Sequence, residues 1–222
     1  MLTFPGYTAA MPKALIFDFD GVIVLSEEAR LKVMQQIALR HNFVIPEDHL
    51  HVLVGTTTQN YLTANFPRLS EADRQAIQQD FNAEFKDKVV DHMMPISATC
   101  DFIKKYDGPV PMCVASGSDI KVLETMLKHI GIAHKFQHVF SKEHVTKSKP
   151  HPEIYQLTAH TLGVAPEDCL VIEDSVSGVT AAIAAAIPVY VFLNELNSKE
   201  QFASLPISGF VSTTRDIEAL LA

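Results

Sequence analysis

Six short apolar runs punctuate the chain, at residues 14–19, 111–115, 138–140, 170–172, 189–192 and 209–211. They are nearly continuously hydrophobic rather than alternating, the pattern of strands covered on both faces. Helical spacing separates the later ones. Ile120, Leu123, Leu127 and Ile130 repeat along one helix face before Gly131, and Pro152 suits the first turn of a helix running toward Gly163. Buried strands alternating with helices predict a doubly wound α/β domain on a parallel sheet.

The interval between the first two runs breaks this rhythm. A crossover needs only a dozen or so residues, yet the stretch from about 21 to 109 carries helix signals of its own. Ser26 precedes Glu27 and Glu28, Ser70 precedes Asp73 at capping-box spacing, and Ile77, Phe81, Phe85 and Val89 form an i+4 stripe. The expectation is a core made of residues 1–26 and 93–222, with a small α-helical cap inserted over 27–92.

Composition narrows the classes of function. A chain of 222 residues, 47% hydrophobic and 20% charged, suits one globular core with an insertion. No apolar run approaches the ~20 residues of a membrane span, so no membrane partner is expected. Residues 1–12 lack the features of a secretory signal and read as a loose extension. Cys100, Cys113 and Cys169 are widely spaced with no C-x-x-C pair, which argues against a disulfide framework or zinc site and for a reducing cytoplasm. The net charge of -8 disfavours nucleic acid. No heptad pattern calls for a partner helix, so a monomer is expected.

Polar residues gather where the apolar runs end. Asp18 and Asp20 close the first run, with alternation placing both on one side and Phe17 and Phe19 on the other. Ser116-Gly117-Ser118 closes the second, Lys149 lies just beyond the third, and Glu173-Asp174 closes the fourth. Ligands of open α/β sheets bind outside the carboxyl ends of the strands. Asp18, Glu173 and Asp174 are hard oxygen donors suited to Mg²⁺ bound together with substrate phosphate. Ser116 and the amides of Gly117 and Ser118 precede a helix whose N-terminus favours an anion. Lys149 can pair with both a phosphoryl oxygen and a carboxylate.

The segments FDFDGV, VASGS, SKPHP and VIEDS resemble, in order, the four motifs of the haloacid dehalogenase superfamily. Within it the chain resembles the β-phosphoglucomutase-like phosphatases that carry a helical cap. The resemblance implies a phosphoric monoester hydrolase acting on a small sugar, sugar-acid or polyol phosphate. It implies Asp18 as nucleophile forming an aspartyl-phosphate, and Asp20 as acid and base. Mg²⁺ would be met by Asp18, the Asp20 carbonyl and Asp174, with Glu173 nearby or ligating. Ser116 would bind the phosphoryl group. Because the family places its lysine directly before the proline, Lys149 rather than Lys147 is the catalytic one.

The main alternative is a phosphomutase. That branch holds a second phosphate with a cap arginine shortly after a glycine, whereas here the stretch reads Gly55-Thr56-Thr57-Thr58. Threonine cannot replace a bidentate guanidinium, which leaves Arg30, Thr57 and Thr58 as candidate cap residues facing substrate. A phospho-accepting signalling module or a non-catalytic binder fits the pattern less well. Two further departures stand out: Leu25 replaces an aspartate usual after the first motif, and Ala186 stands where the helix after the fourth motif commonly ends in glycine.

Overall fold

The computed structural model describes residues 11–53 and 56–221, and only the backbone of 86, 87 and 89–91. Gly55, the Val89 side chain and the first ten residues of the extension therefore lie outside the described residues. The chain divides into two compact units. One comprises the described part of Met1–Val24 together with Pro95–Ala222, and the other is Leu25–Met94.

The first unit is built on six parallel strands: β1 (Ala14–Phe17), β4 (Met112–Ala115), β5 (His138–Phe140), β6 (Cys169–Glu173), β7 (Val189–Phe192) and β8 (Gly209–Val211). Two short strands, β2 (Val24–Leu25) and β3 (Met94–Pro95), form a separate two-stranded sheet. The large sheet runs β5-β4-β1-β6-β7-β8. Strand order thus reverses at β1, whose Phe17 stands level with Val114 on one side and Ile172 on the other. A crevice opens at such a reversal, at the carboxyl ends of the strands. Every residue of β1, β4 and β6 is buried, as the unbroken apolar runs require.

The helices of this unit are α5 (Ser97–Lys105), α6 (Ile120–Ile130), α7 (Glu153–Leu162), α8 (Val176–Ala184) and α9 (Thr214–Ala219). One core cluster joins Ile16, Val171, Val189 and Val191 of the sheet to Ile154 and Tyr155 of α7 and Val179 and Ala182 of α8. Pro152 is the N-cap of α7, one position before its first turn.

The second unit holds α1 (Glu27–Arg40), α2 (Leu50–Leu53), α3 (Thr58–Asn65) and α4 (Glu71–His92). Its own core gathers Met34 and Ile37 of α1, Tyr61 and Leu62 of α3, and Ile77 and Phe81 of α4, with Phe85 half-buried against them. The capping box at Ser70 forms, with the Asp73 amide donating to Ser70 Oγ at 3.1 Å. Ser26 occupies the N-cap of α1 but makes no side-chain cap bond, because its backbone is already helical (φ -96°, ψ -21°). An N-cap hydroxyl normally reaches its amide from an extended conformation. Among the described residues no helix is long and apolar enough to cross a membrane.

Candidate active site

Strand β1 stops at Phe17, so a tight turn, not strand alternation, presents the two aspartates. The Asp18 amide still donates to Ile172 O of β6 at 2.9 Å, which pins Asp18 beside that strand. Gly21 then takes φ +75°, a conformation that costs glycine little, while its amide donates to Val24 O at 2.7 Å. A Cβ at Gly21 would also fall 1.8 Å from Asp174 Oδ2. The glycine is required twice, by the turn and by the carboxylate packed against it.

Lys149 bridges three strands. Its Nζ donates to Asp18 Oδ1 at 2.7 Å, Glu173 Oε1 at 2.8 Å and Ala115 O at 3.1 Å. It also sits 4.8 Å from the centre of the Tyr155 ring, close enough for a cation–π contact. Lys147, two residues earlier, is exposed. Glu173 is fully buried and both its oxygens are engaged. Oε1 also accepts from the Tyr155 hydroxyl at 3.3 Å, and Oε2 accepts from the amide and hydroxyl of Ser175 at 2.7 and 3.0 Å. A Cβ at Gly178 would lie 1.5 Å from Glu173 Oε1, so that glycine lets the carboxylate rest against the positive end of α8.

Asp20 faces the loop after β4. Its Oδ2 accepts from Ser118 Oγ at 2.6 Å and from the buried Ser116 Oγ at 3.3 Å. The Ser118 amide donates to Ser116 Oγ at 3.0 Å, so this loop is internally tied. Gly117 is exposed, with no atom crowding its Cβ position. At the start of α6 the Ile120 amide already donates to Glu143 Oε2 at 3.0 Å.

The charges are unbalanced. Burial, and then the neighbouring Glu173 and Asp20, push the Asp18 carboxyl up to about 8 even though Lys149 pulls the other way. Burial and the charges of Glu173 and Asp18 hold Asp174 well above the usual carboxylate range. Burial opposes the Lys149 charge, but Asp18 and Glu173 outweigh it and hold the ammonium well above its ordinary value. One lysine cannot offset this many acids. Asp18, Glu173 and Asp174 each place a carboxylate oxygen within 4.8 Å of the others, a hard donor set that fits a small divalent cation.

Two residues of this site escaped the sequence reading. Asn194, after β7, donates through Nδ2 to Gly21 O at 2.8 Å and to Asp174 Oδ2 at 2.9 Å. It obeys the rule that marked the other four features, a polar residue past the carboxyl end of a strand. Tyr155 carried no such signal, since it reads as an apolar position of α7.

The cap candidates lie in the other unit. Arg30 donates to Leu53 O at 3.2 Å, with Glu27 Oε2 and Thr58 Oγ1 each at 3.5 Å. Thr58 is buried, and Thr57 accepts from the Asn60 amide at 3.2 Å as the N-cap of α3. Each of these polar groups makes a hydrogen bond within its own unit.

The fructose-1-phosphate phosphatase YqaB of Escherichia coli is 29% identical over 174 residues, covering 78% of this chain and 92% of that protein. The phosphorylated carbohydrates phosphatase of Thermotoga maritima is 26% identical over 190 residues, covering 83% and 87%. Among solved structures, a HAD family hydrolase from Deinococcus radiodurans with bound phosphate and sodium superposes with a TM-score of 0.78. It is 24% identical and covers 96% of each chain, a likeness of fold. The sequence signature of the haloacid dehalogenase-like hydrolases matches residues 15–192 and so runs through both units. A match of that extent establishes descent: the chain belongs to the haloacid dehalogenase-like hydrolases.

Proposed function

We propose that this protein is a Mg²⁺-dependent phosphatase that hydrolyses a small sugar, sugar-acid or polyol phosphate through an aspartyl-phosphate on Asp18. The observation that carries the reading is the Lys149 ammonium held between Asp18 and Glu173 at 2.7 and 2.8 Å. A nucleophilic carboxylate beside a fixed cation can approach a phosphoryl group that it would otherwise repel. The activities named for the two relatives, on fructose 1-phosphate and on phosphorylated carbohydrates, support the substrate class.

In this mechanism Asp18 attacks phosphorus as the ester bond to the leaving oxygen breaks, and protonated Asp20 gives that oxygen its proton. Asp20 then takes a proton from the water that attacks phosphorus, releasing phosphate and restoring Asp18. Ser116 and Ser118 hold Asp20 Oδ2, which orients the acid for both steps. Ser116 and the Gly117 and Ser118 segment line the phosphoryl side, and Lys149 offsets charge there. Asp18 and Asp174, with the Asp20 carbonyl and Glu173 adjacent, would hold Mg²⁺, whose charge screens the phosphoryl oxygens from the acidic pocket. The enzyme acts as a monomer, and in the cytoplasm; three buried, free cysteines support the second part of that reading.

Asp18→Asn tests the proposal. Phosphate release should fall at least about 10³-fold while the melting temperature stays within a few degrees of wild type. Turnover near wild type would end the reading. Scoring isomer formation alongside phosphate release separates a phosphomutase. The bonds of Arg30 to Leu53 O and to the buried Thr58 disfavour that alternative, and the exposed Thr57 hydroxyl is engaged in capping α3.

A further inference from the structure

Asn194 is half-buried on the loop after β7, and the structure settles which way its carboxamide points. Oδ1 accepts from the Leu196 amide at 2.8 Å, so Nδ2 is turned to the opposite side. There it donates to Asp174 Oδ2 at 2.9 Å and to Gly21 O at 2.8 Å. Asn197 locks the loop from behind. Its Oδ1 accepts from the Asn194 amide at 3.2 Å, and its Nδ2 donates to the backbone oxygens of Asp174 and Phe192, each at 2.9 Å.

We infer that Asn194 is the positioning residue of the divalent-ion site, tying the Asp174 carboxylate to the backbone just past Asp20. The inference rests on the reading of Asp174 as an ion ligand. The tie joins two segments from opposite ends of the sequence, the turn after β1 and the end of β6, both of which that reading brings to the ion. Asn194 holds Oδ2 of Asp174, and Oδ1, which has no hydrogen-bond partner among the described residues, would be left free to meet the ion. The chemical type also matters. A carboxamide donates two hydrogen bonds without bringing a positive charge. It therefore restrains an acid beside Asp18 and Glu173 without competing with a cation for the pocket, as a lysine or arginine at that place would.

Isothermal titration of Mg²⁺ and of Mn²⁺ into the full-length wild type, Asn194→Ala, Asn194→Leu and Asp174→Asn tests this. Both Asn194 variants should bind the ions about 10–100-fold more weakly, with melting temperatures in chelator within a few degrees of wild type and turnover largely restored at saturating Mg²⁺. Wild-type ion affinity in either variant overturns the inference alone. An Asp174→Asn protein that binds ions as the wild type does removes the ion-site reading, and the inference with it. If the variants do not fold, nuclear magnetic resonance of the wild type decides. The Asn194 carboxamide protons should exchange slowly and shift on Mg²⁺ addition, whereas solvent-like exchange with no shift overturns the inference.

Discussion

Replacing Ala186 by glycine should make this protein more stable, although it removes a methyl group and adds no contact. Helix α8 ends in a Schellman arrangement: the Ile187 amide donates to Ala182 O and the Ala186 amide to Ile183 O, both at 3.0 Å. That geometry puts Ala186 at φ +59°. A residue with a Cβ pays about 1–2 kcal/mol in this left-handed region. Glycine pays nothing there but loses about 0.5–1 kcal/mol more chain entropy on folding. The balance is a gain of roughly 0.5–1 kcal/mol, or about 1–4 °C in melting temperature for a chain of this size. The molecule contains its own controls. Helices α6 and α7 end the same way on Gly131 (φ +81°) and Gly163 (φ +65°), and a Cβ at either would meet no atom within 4 Å. Gly131→Ala and Gly163→Ala should therefore cost about 1 kcal/mol each through conformation alone. Differential scanning calorimetry of the three variants measures both directions. Ala186 is exposed at the far end of α8 from Ser175, so turnover should not change. An Ala186→Gly protein that melts at or below the wild type, while both controls melt lower, would refute the reasoning.

Gly178→Ala should do the reverse at the other end of α8. Its Cβ would displace the Glu173 carboxylate and its bonds to Lys149 and Tyr155, costing about 2–4 kcal/mol and about 10²-fold in turnover. Normal turnover in that variant would contradict the packing described. Asp18 sets a pH dependence. Its carboxyl sits at about 8 in the folded, ion-free protein against about 4 in an unfolded chain, so the folded state binds more protons between those values. Its contribution to stability is therefore fully present below about pH 4 and is lost as pH rises through about 8. Mg²⁺ should flatten that decline, and its apparent affinity should strengthen between pH 6 and 8. Denaturant titrations with Mg²⁺ and with chelator across this range would expose an error as identical slopes.

Short-range pattern alone determined much of this protein. Strands buried on both faces leave almost no polar position, so β1, β4 and β6 stood out as apolar runs, with the half-buried edge strands β5 and β8 as shorter ones, and polar residues past four of the runs marked the site. The Ser70 capping box and the glycine stops after α6 and α7 were equally local, because each depends on residues within one helical turn. Ser26 was not, since its hydroxyl caps only if Ser26 itself is extended, and its own backbone is helical although strand β2 leads directly into it. Between Lys147 and Lys149, a resemblance chose the second; in physical terms, only the fold decides which of two neighbouring loop lysines turns inward to three strands. Asn194 was an ordinary polar residue after a strand until the order β1-β6-β7 brought that strand's end beside Asp174 and Gly21. Strand order is a matter of pairings between distant segments. Periodicity along the chain carries no record of which neighbour each strand will choose.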